Sequence, residues 1–180
     1  DFILHMNETF SAGYDIVTCY RNSKNYGDNW ISAGYALWFL RESRYLNGAR
    51  MRLGSSCGVS GTGFLFSAAV LAAQGGGWPF HLLTEDIEFT IHNVTRGVRV
   101  GYCAEAVLYD EQPVRFDQSW AQRLRWSRGY MQVFRKYGRA LISGILHGSF
   151  SCYDMAMSIM PAAVLTGLSI AVNVGAALVN

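Results

Sequence analysis

Hydrophobic and polar positions alternate along this chain with two different periods, and the switches between them divide it into helices and strands. Phe2, Met6 and Phe10 recur at helical spacing, which predicts a helix over 2–12 stopped by Gly13. The β-rich run from Asp15 to Tyr20 reads as a short strand, and the polar stretch Asn22 to Asn29 as a turn. A long helix is expected from about Trp30 to Arg52. A glycine break, Gly61-Thr62-Gly63, precedes the strand Phe64-Leu65-Phe66, and a short helix over 68–74 ends at Gly75-Gly76-Gly77. Thr84 stands where it can cap a helix running to Arg96, with Ile87, Ile91 and Val94 on one face and Gly97 closing it. Two strands, 99–103 and 106–109, lead to a helix from Ser119 to about Tyr137. The pattern is α/β, without an internal repeat.

Charge is unevenly spread over this pattern. Seven of the 15 basic residues lie between Arg115 and Arg139 (Arg115, Arg123, Arg125, Arg128, Arg135, Lys136 and Arg139), against one acid, Asp117. From Met155 to Asn180 there is no charge at all. At 1.5 Å per residue even the part from Pro161 onward reaches roughly 30 Å, about one bilayer core, and proline suits the first turn of a helix. The expectation is therefore a transmembrane helix over 154–180. Its competitor is a buried helix of a soluble core. The basic cluster before it would face the cytoplasm, because cations flanking a span stay on that side.

Composition agrees with this division. The chain of 180 residues is 51% hydrophobic and only 16% charged, which excludes a disordered chain. A net charge of +2 and the absence of a basic sheet exclude a nucleic-acid partner. Cys19, Cys57, Cys103 and Cys152 are far apart, with no CxxC, and read as buried reduced thiols rather than a disulfide framework. The four histidines show no metal-ligand spacing. The chain opens on Asp1 without a methionine or a signal peptide, so it is expected to be a piece of a longer protein.

Two local clusters carry candidate chemistry. Thr84-Glu85-Asp86, flanked by Glu88, places carboxylates in the first turn of a helix, where orphan N–H groups and the dipole favour the charged form. A carboxylate fixed there can accept a proton from a substrate hydroxyl. The same residues also fit the ordinary acidic bias of a helix start. Gln122-Arg123-Leu124-Arg125-Trp126 puts Gln122, Arg125 and Trp126 on one helical face. Guanidinium suits phosphate oxygens, an amide suits hydroxyls, and an indole face suits a sugar ring. An amphipathic helix at a membrane surface, with Trp anchored and Arg snorkelling, would look the same.

Taken in order, Gly61-Thr62-Gly63, Thr84-Glu85-Asp86, Tyr109-Asp110-Glu111-Gln112-Pro113 and Gln122-x-x-Arg125-Trp126 before an uncharged tail resemble the processive family-2 glycosyltransferases. These are the cellulose, chitin, hyaluronan and poly-N-acetylglucosamine synthases. The resemblance implies an inverting, membrane-bound transferase that moves a sugar from a nucleotide-diphosphate sugar to a β-linked polysaccharide. It implies that residues 1–117 are the acceptor-side, C-terminal half of a GT-A-type domain, with 118–153 as interfacial helices. Asp86 would be the catalytic base. Gln122, Arg125 and Trp126 would line the acceptor end and hold the pyrophosphate, with Thr84 and Glu85 beside them and Gly61, Thr62 and Gly63 close to the acceptor. The family's divalent cation, Mg or Mn, is held by a DxD motif expected upstream, so no metal ligand is assigned and the piece alone is expected to be inactive. A single-addition transferase with a glycolipid acceptor, and a non-catalytic membrane-associated scaffold, are the alternatives. The cytoplasmic face of the cell membrane is the expected location.

Overall fold

The computed structural model describes residues 1–179, the side chains of 162–164 and 179 excepted. Helix α1 (Phe2–Ser11) leads into β1 (Ile16–Ser23). Next, α2 (Trp30–Leu40) continues through a π-helical segment, Arg41–Asn47, into α3 (Gly48–Arg52). Then come β2 (Phe64–Phe66), α4 (Ala68–Ala72), α5 (Glu85–Val94) and β3 (Val100–Asp110). Three helices follow, α6 (Phe116–Leu146), α7 (Phe150–Ile159) and α8 (Pro161–Val179).

The sheet is small and mixed. β1 lies at its centre, antiparallel to β2 and parallel to β3. Ile16, Val17, Thr18 and Cys19 are all buried, as befits a strand covered on both faces. Val17 and Cys19 face Met6 of α1, while Ile16 packs with Val59, Val100 and Phe89 of α5 on the other side. Beyond α5 a second core joins Ile91 and Val94 to Val133, Tyr137 and Leu141 of α6 and to Met155 and Ile159 of α7. Helix α5 is thus the partition between the sheet and the helical layer.

Several boundaries differ from the sequence reading for identifiable reasons. β1 runs on to Ser23 because Asn22 and Ser23 pair with Tyr109 and Asp110. The two strands expected over 99–109 are one strand, with the extra residues absorbed in a register shift opposite Cys19 and Tyr20. Helix α6 outruns the expected 119–137 because Val133, Tyr137 and Leu141 continue one apolar stripe at helical spacing against α7. The helix after Trp30 starts as expected, with Asn29 Oδ1 accepting from the Ile31 and Ser32 amides in a capping box. Its middle widens into a π-helical stretch where side chains tie it to other elements. There Ser43 Oγ accepts from the Arg21 amide and donates to its carbonyl, and Asn47 exchanges two hydrogen bonds with the Gly58 backbone.

The uncharged run is not the single spanning helix expected over 154–180. Its first residues belong to α7, where Met155, Ala156 and Ile159 are buried in the core. The chain breaks at Met160, and Pro161 opens α8. Thr166, Gly167, Ser169, Asn173 and Gly175 dilute the apolar character of α8. Among the described residues no helix is long and apolar enough to cross a membrane.

Close approach of α5 to α6 depends on Gly129. A β-carbon there would lie 2.5 Å from both Cγ2 and Oγ1 of Thr84, closer than a β-carbon contact tolerates. Gly129→Ala should therefore overpack the contact, at a cost of about 1–3 kcal/mol. Gly138→Ala on the same helix meets only Phe134 ring atoms at 3.6 Å, an ordinary contact. Thermal unfolding should show a lowered midpoint for the first variant and an unchanged or raised one for the second, and equal midpoints would refute the tight packing.

Candidate active site

Residues 81–84, the approach to α5, are held from both helices. Glu88 lies within α5 with its side chain fully buried. Its Oε2 accepts from the His81 and Leu82 amides at 3.1 and 3.0 Å, and its Oε1 from Lys136 Nζ at 2.6 Å. The Tyr137 hydroxyl donates to the same oxygen at 3.4 Å. One residue on, Leu83 donates its N–H to Gln132 Oε1 at 3.3 Å and accepts from Arg125 Nη1 at 2.8 Å through its carbonyl. Thr84 then sits against Gly129. It occupies the N-cap position of α5 but makes no side-chain capping bond, and its buried Oγ1 has no hydrogen-bond partner among the described residues.

This anchoring fixes Asp86 in the first turn of α5, where its Oδ1 accepts from the Ile87 amide at 2.9 Å. The loop at Gly61 passes so near that a β-carbon on that glycine would lie 3.1 Å from Asp86 Oδ2. Gly61 also holds φ at +75°, a conformation open to glycine. Burial pushes the Asp86 carboxyl up to about 6; the Ile87 N–H opposes this, the Glu85 charge adds to it and Arg21 works against it. A carboxylate tuned toward neutrality and facing open space suits proton abstraction.

Asp86 and the α6 motif line one cavity of about 170 Å³. Gly61, Thr84 and Glu85 are walls of it, as are Gln122, Arg125 and Trp126. The buried Gln122 Oε1 has no hydrogen-bond partner among the described residues, leaving an acceptor free for a ligand donor. Trp126 meets Tyr35 and Phe39 of α2 edge-on at 5.8 and 6.4 Å, which fixes the indole as a wall. Thr62 and Gly63 are not among the walls. Gly63 turns toward the sheet, where a β-carbon would lie 2.2 Å from Cys19 Sγ.

Further walls come from residues that the motifs did not flag: Arg21, Trp38, Phe39, Glu42 and Tyr130. Arg21 is tied to the Asp110 carboxylate and donates to the Ser60 carbonyl at 2.7 Å, with its guanidinium 3.8 Å from the Phe39 ring centre. Arg21 lies within β1 and reaches the cavity through the register of that strand with β3, which no local pattern signals. Glu42 gave no signal either, because the face that it presents follows from the π-helical widening of its helix. No group of three or more histidine, cysteine, aspartate or glutamate side chains able to hold a metal occurs among the described residues. The resemblance places the cation's DxD ligands outside these residues.

The four cysteines are free and buried, as expected. The chain is 30% identical over 79 residues to a probable glycosyltransferase, YdaM, of Bacillus subtilis strain 168, covering 44% of this chain and 19% of that protein. It is 31% identical over 101 residues to the UDP-forming cellulose synthase catalytic subunit of Komagataeibacter sucrofermentans, covering 54% of this chain and 13% of that protein. The chain therefore matches less than a fifth of either relative's length. The model of glycosyl transferase family group 2 matches residues 1–179, nearly the entire sequence, and the chain belongs to that family.

Proposed function

We propose that the protein carrying this chain is an inverting glycosyltransferase that moves a hexosyl or N-acetylhexosaminyl group from a nucleotide-diphosphate sugar to an acceptor hydroxyl. The observation that carries the reading is the shared cavity, in which Asp86, with its carboxyl raised to about 6, is grouped with the unpartnered Gln122 Oε1, Arg125 and Trp126. Asp86 takes the proton of the acceptor hydroxyl as its oxygen bonds the anomeric carbon. The bond from that carbon to the diphosphate oxygen breaks with its electron pair, and the nucleotide diphosphate departs from the opposite face, so configuration inverts. Arg125 keeps one arm on the Leu83 carbonyl and offers its remaining N–H groups to diphosphate oxygens. Gln122 accepts from a sugar hydroxyl, and the Trp126 indole supplies a flat apolar wall for the ring.

The product we favour is a β-linked polysaccharide extended processively, supported by the QxxRW spacing and by similarity to a cellulose synthase catalytic subunit. A single addition to a glycolipid is the alternative, and the length of the product separates the two. The proposed location is the cytoplasmic face of the cell membrane, supported by the cations of α6 and by exposed Leu165, Leu168, Ile170 and Val172 on α8.

Asp86→Asn in the full-length protein should bind donor as the wild type does and lose about 10²–10⁴-fold in turnover, since it keeps the shape and removes the base. Near wild-type turnover would end the base assignment. Arg125→Lys should cripple transfer by losing the planar fork, whereas Arg128→Lys, outside the cavity walls, should be mild. Both variants should remain bound to inside-out membrane vesicles and open to added protease. Equal losses in the two would favour a purely interfacial role for α6, and protease protection would reverse the topology.

A further inference from the structure

A second cavity of about 500 Å³ adjoins the first, and Trp38, Glu42, Ile87 and Tyr130 are walls of both. It extends from the Asp86 side toward Asp154 and Met157 of α7 and Pro161 at the start of α8. Glu42 therefore stands at the junction. Among the described residues its carboxylate makes no hydrogen bond or ion pair, and the three nearby guanidiniums are engaged elsewhere. Arg21 holds Asp110 and the Ser60 carbonyl. Arg50 holds Asp154 Oδ2 at 2.6 Å, Ser158 Oγ at 2.8 Å and Asn47 Oδ1 at 3.2 Å. Arg41 lies over the Trp38 ring, 5.6 Å from its centre. This half-buried carboxylate lines two cavities without a protein donor, which leaves both of its oxygens free to accept from a ligand.

We propose that Glu42 is an acceptor-recognition residue, whose two carboxylate oxygens accept hydrogen bonds from hydroxyls of the sugar chain where it passes from the catalytic cavity into the second one. The inference rests on the glycosyltransferase reading above and names the residue that holds the acceptor. A carboxylate suits the role because it only accepts, and two oxygens can take neighbouring sugar hydroxyls together. Burial, with a smaller contribution from Asp86, raises the Glu42 carboxyl above the usual range, while Arg50 opposes it. Ligand hydroxyls replace the hydration that burial removes, so an occupied site favours the ionised form. Trp38, on the same shared wall, gives an apolar surface against which a ring can lie.

The test uses the full-length protein with UDP-glucose and UDP-N-acetylglucosamine as donors and cellohexaose and chitohexaose as acceptor probes. Tryptophan fluorescence reports binding directly, because Trp38 and Trp126 line the first cavity. At least one hexasaccharide should bind the wild type. Glu42→Gln should weaken it about tenfold or more, the scale of a hydrogen bond to a charged group, and raise acceptor KM while donor KM stays unchanged. Glu8→Gln, an exposed acid of α1 away from both cavities, should change neither. If Glu42→Gln does not fold, Glu42→Asp carries the test, since a carboxylate one methylene shorter should also lose acceptor affinity alone. Unaltered hexasaccharide binding in the folded variant, or no binding of either probe by the wild type, overturns the proposal. Asp86→Asn measured in parallel separates the two claims. If it turns over normally, the base reading fails. If it is inactive while the Glu42 variant binds like wild type, only the acceptor role of Glu42 fails.

Discussion

The docking of residues 81–84 between α5 and α6 is the constraint on which the site depends. Glu88 collects two amides of that segment and the Lys136 ammonium on one buried carboxylate. The Glu88 carboxylate is wholly out of water and depends on these donors, whereas the half-exposed Lys136 end of the pair is screened by solvent. Gln132 and Arg125 fasten the next residue, and Thr84 closes against Gly129 at a distance that no larger residue permits. These bonds join the helix carrying Asp86 to the helix carrying Gln122, Arg125 and Trp126. Without them the two motifs would be independent features on separate elements.

The electrostatics of the cavity follow from that docking. Packing α6 over the start of α5 removes water from Asp86, and the loss of hydration is the largest influence on its carboxyl. The Ile87 amide and the Arg21 charge keep the rise moderate, so the group remains ionisable near neutrality. Arg21 is itself held by Asp110 at the far end of β3 and by the loop before Gly61. The sheet thus sets the charge facing the helix start, while the helical layer sets its dryness. A base with a tuned affinity for protons is a product of both layers.

What was legible in the sequence was local. Thr84-Glu85-Asp86 reads as a helix start because capping residue and acids lie within one turn, and Gln122, Arg125 and Trp126 share a face by helical spacing alone. Gly61 reads locally as a break before a strand, and the structure sets it against Asp86. What escaped was set by tertiary contacts. The acidic residue next to the motif, Glu88, looked like one more N-terminal acid, yet it faces inward to Lys136 of α6. Arg21 and Glu42 reach the cavity through strand register and a π-helical widening, neither of which has a periodic signature in the chain. The uncharged tail misled because absence of charge was read as one helix, whereas burial of Met155 and Ile159 assigns its first part to the core.

The central claim is that a half-buried, docked carboxylate takes the proton of the acceptor. The dependence of kcat/KM on pH in the full-length protein tests it most directly, since that profile reports ionisations of the free enzyme. A protonated Asp86 accepts no proton, so activity should fall as pH drops, with a midpoint near the value of about 6 to which burial raises the group. An acid limb centred near the ordinary aspartate value of about 4, or a flat profile between about pH 5 and 8, would contradict the account.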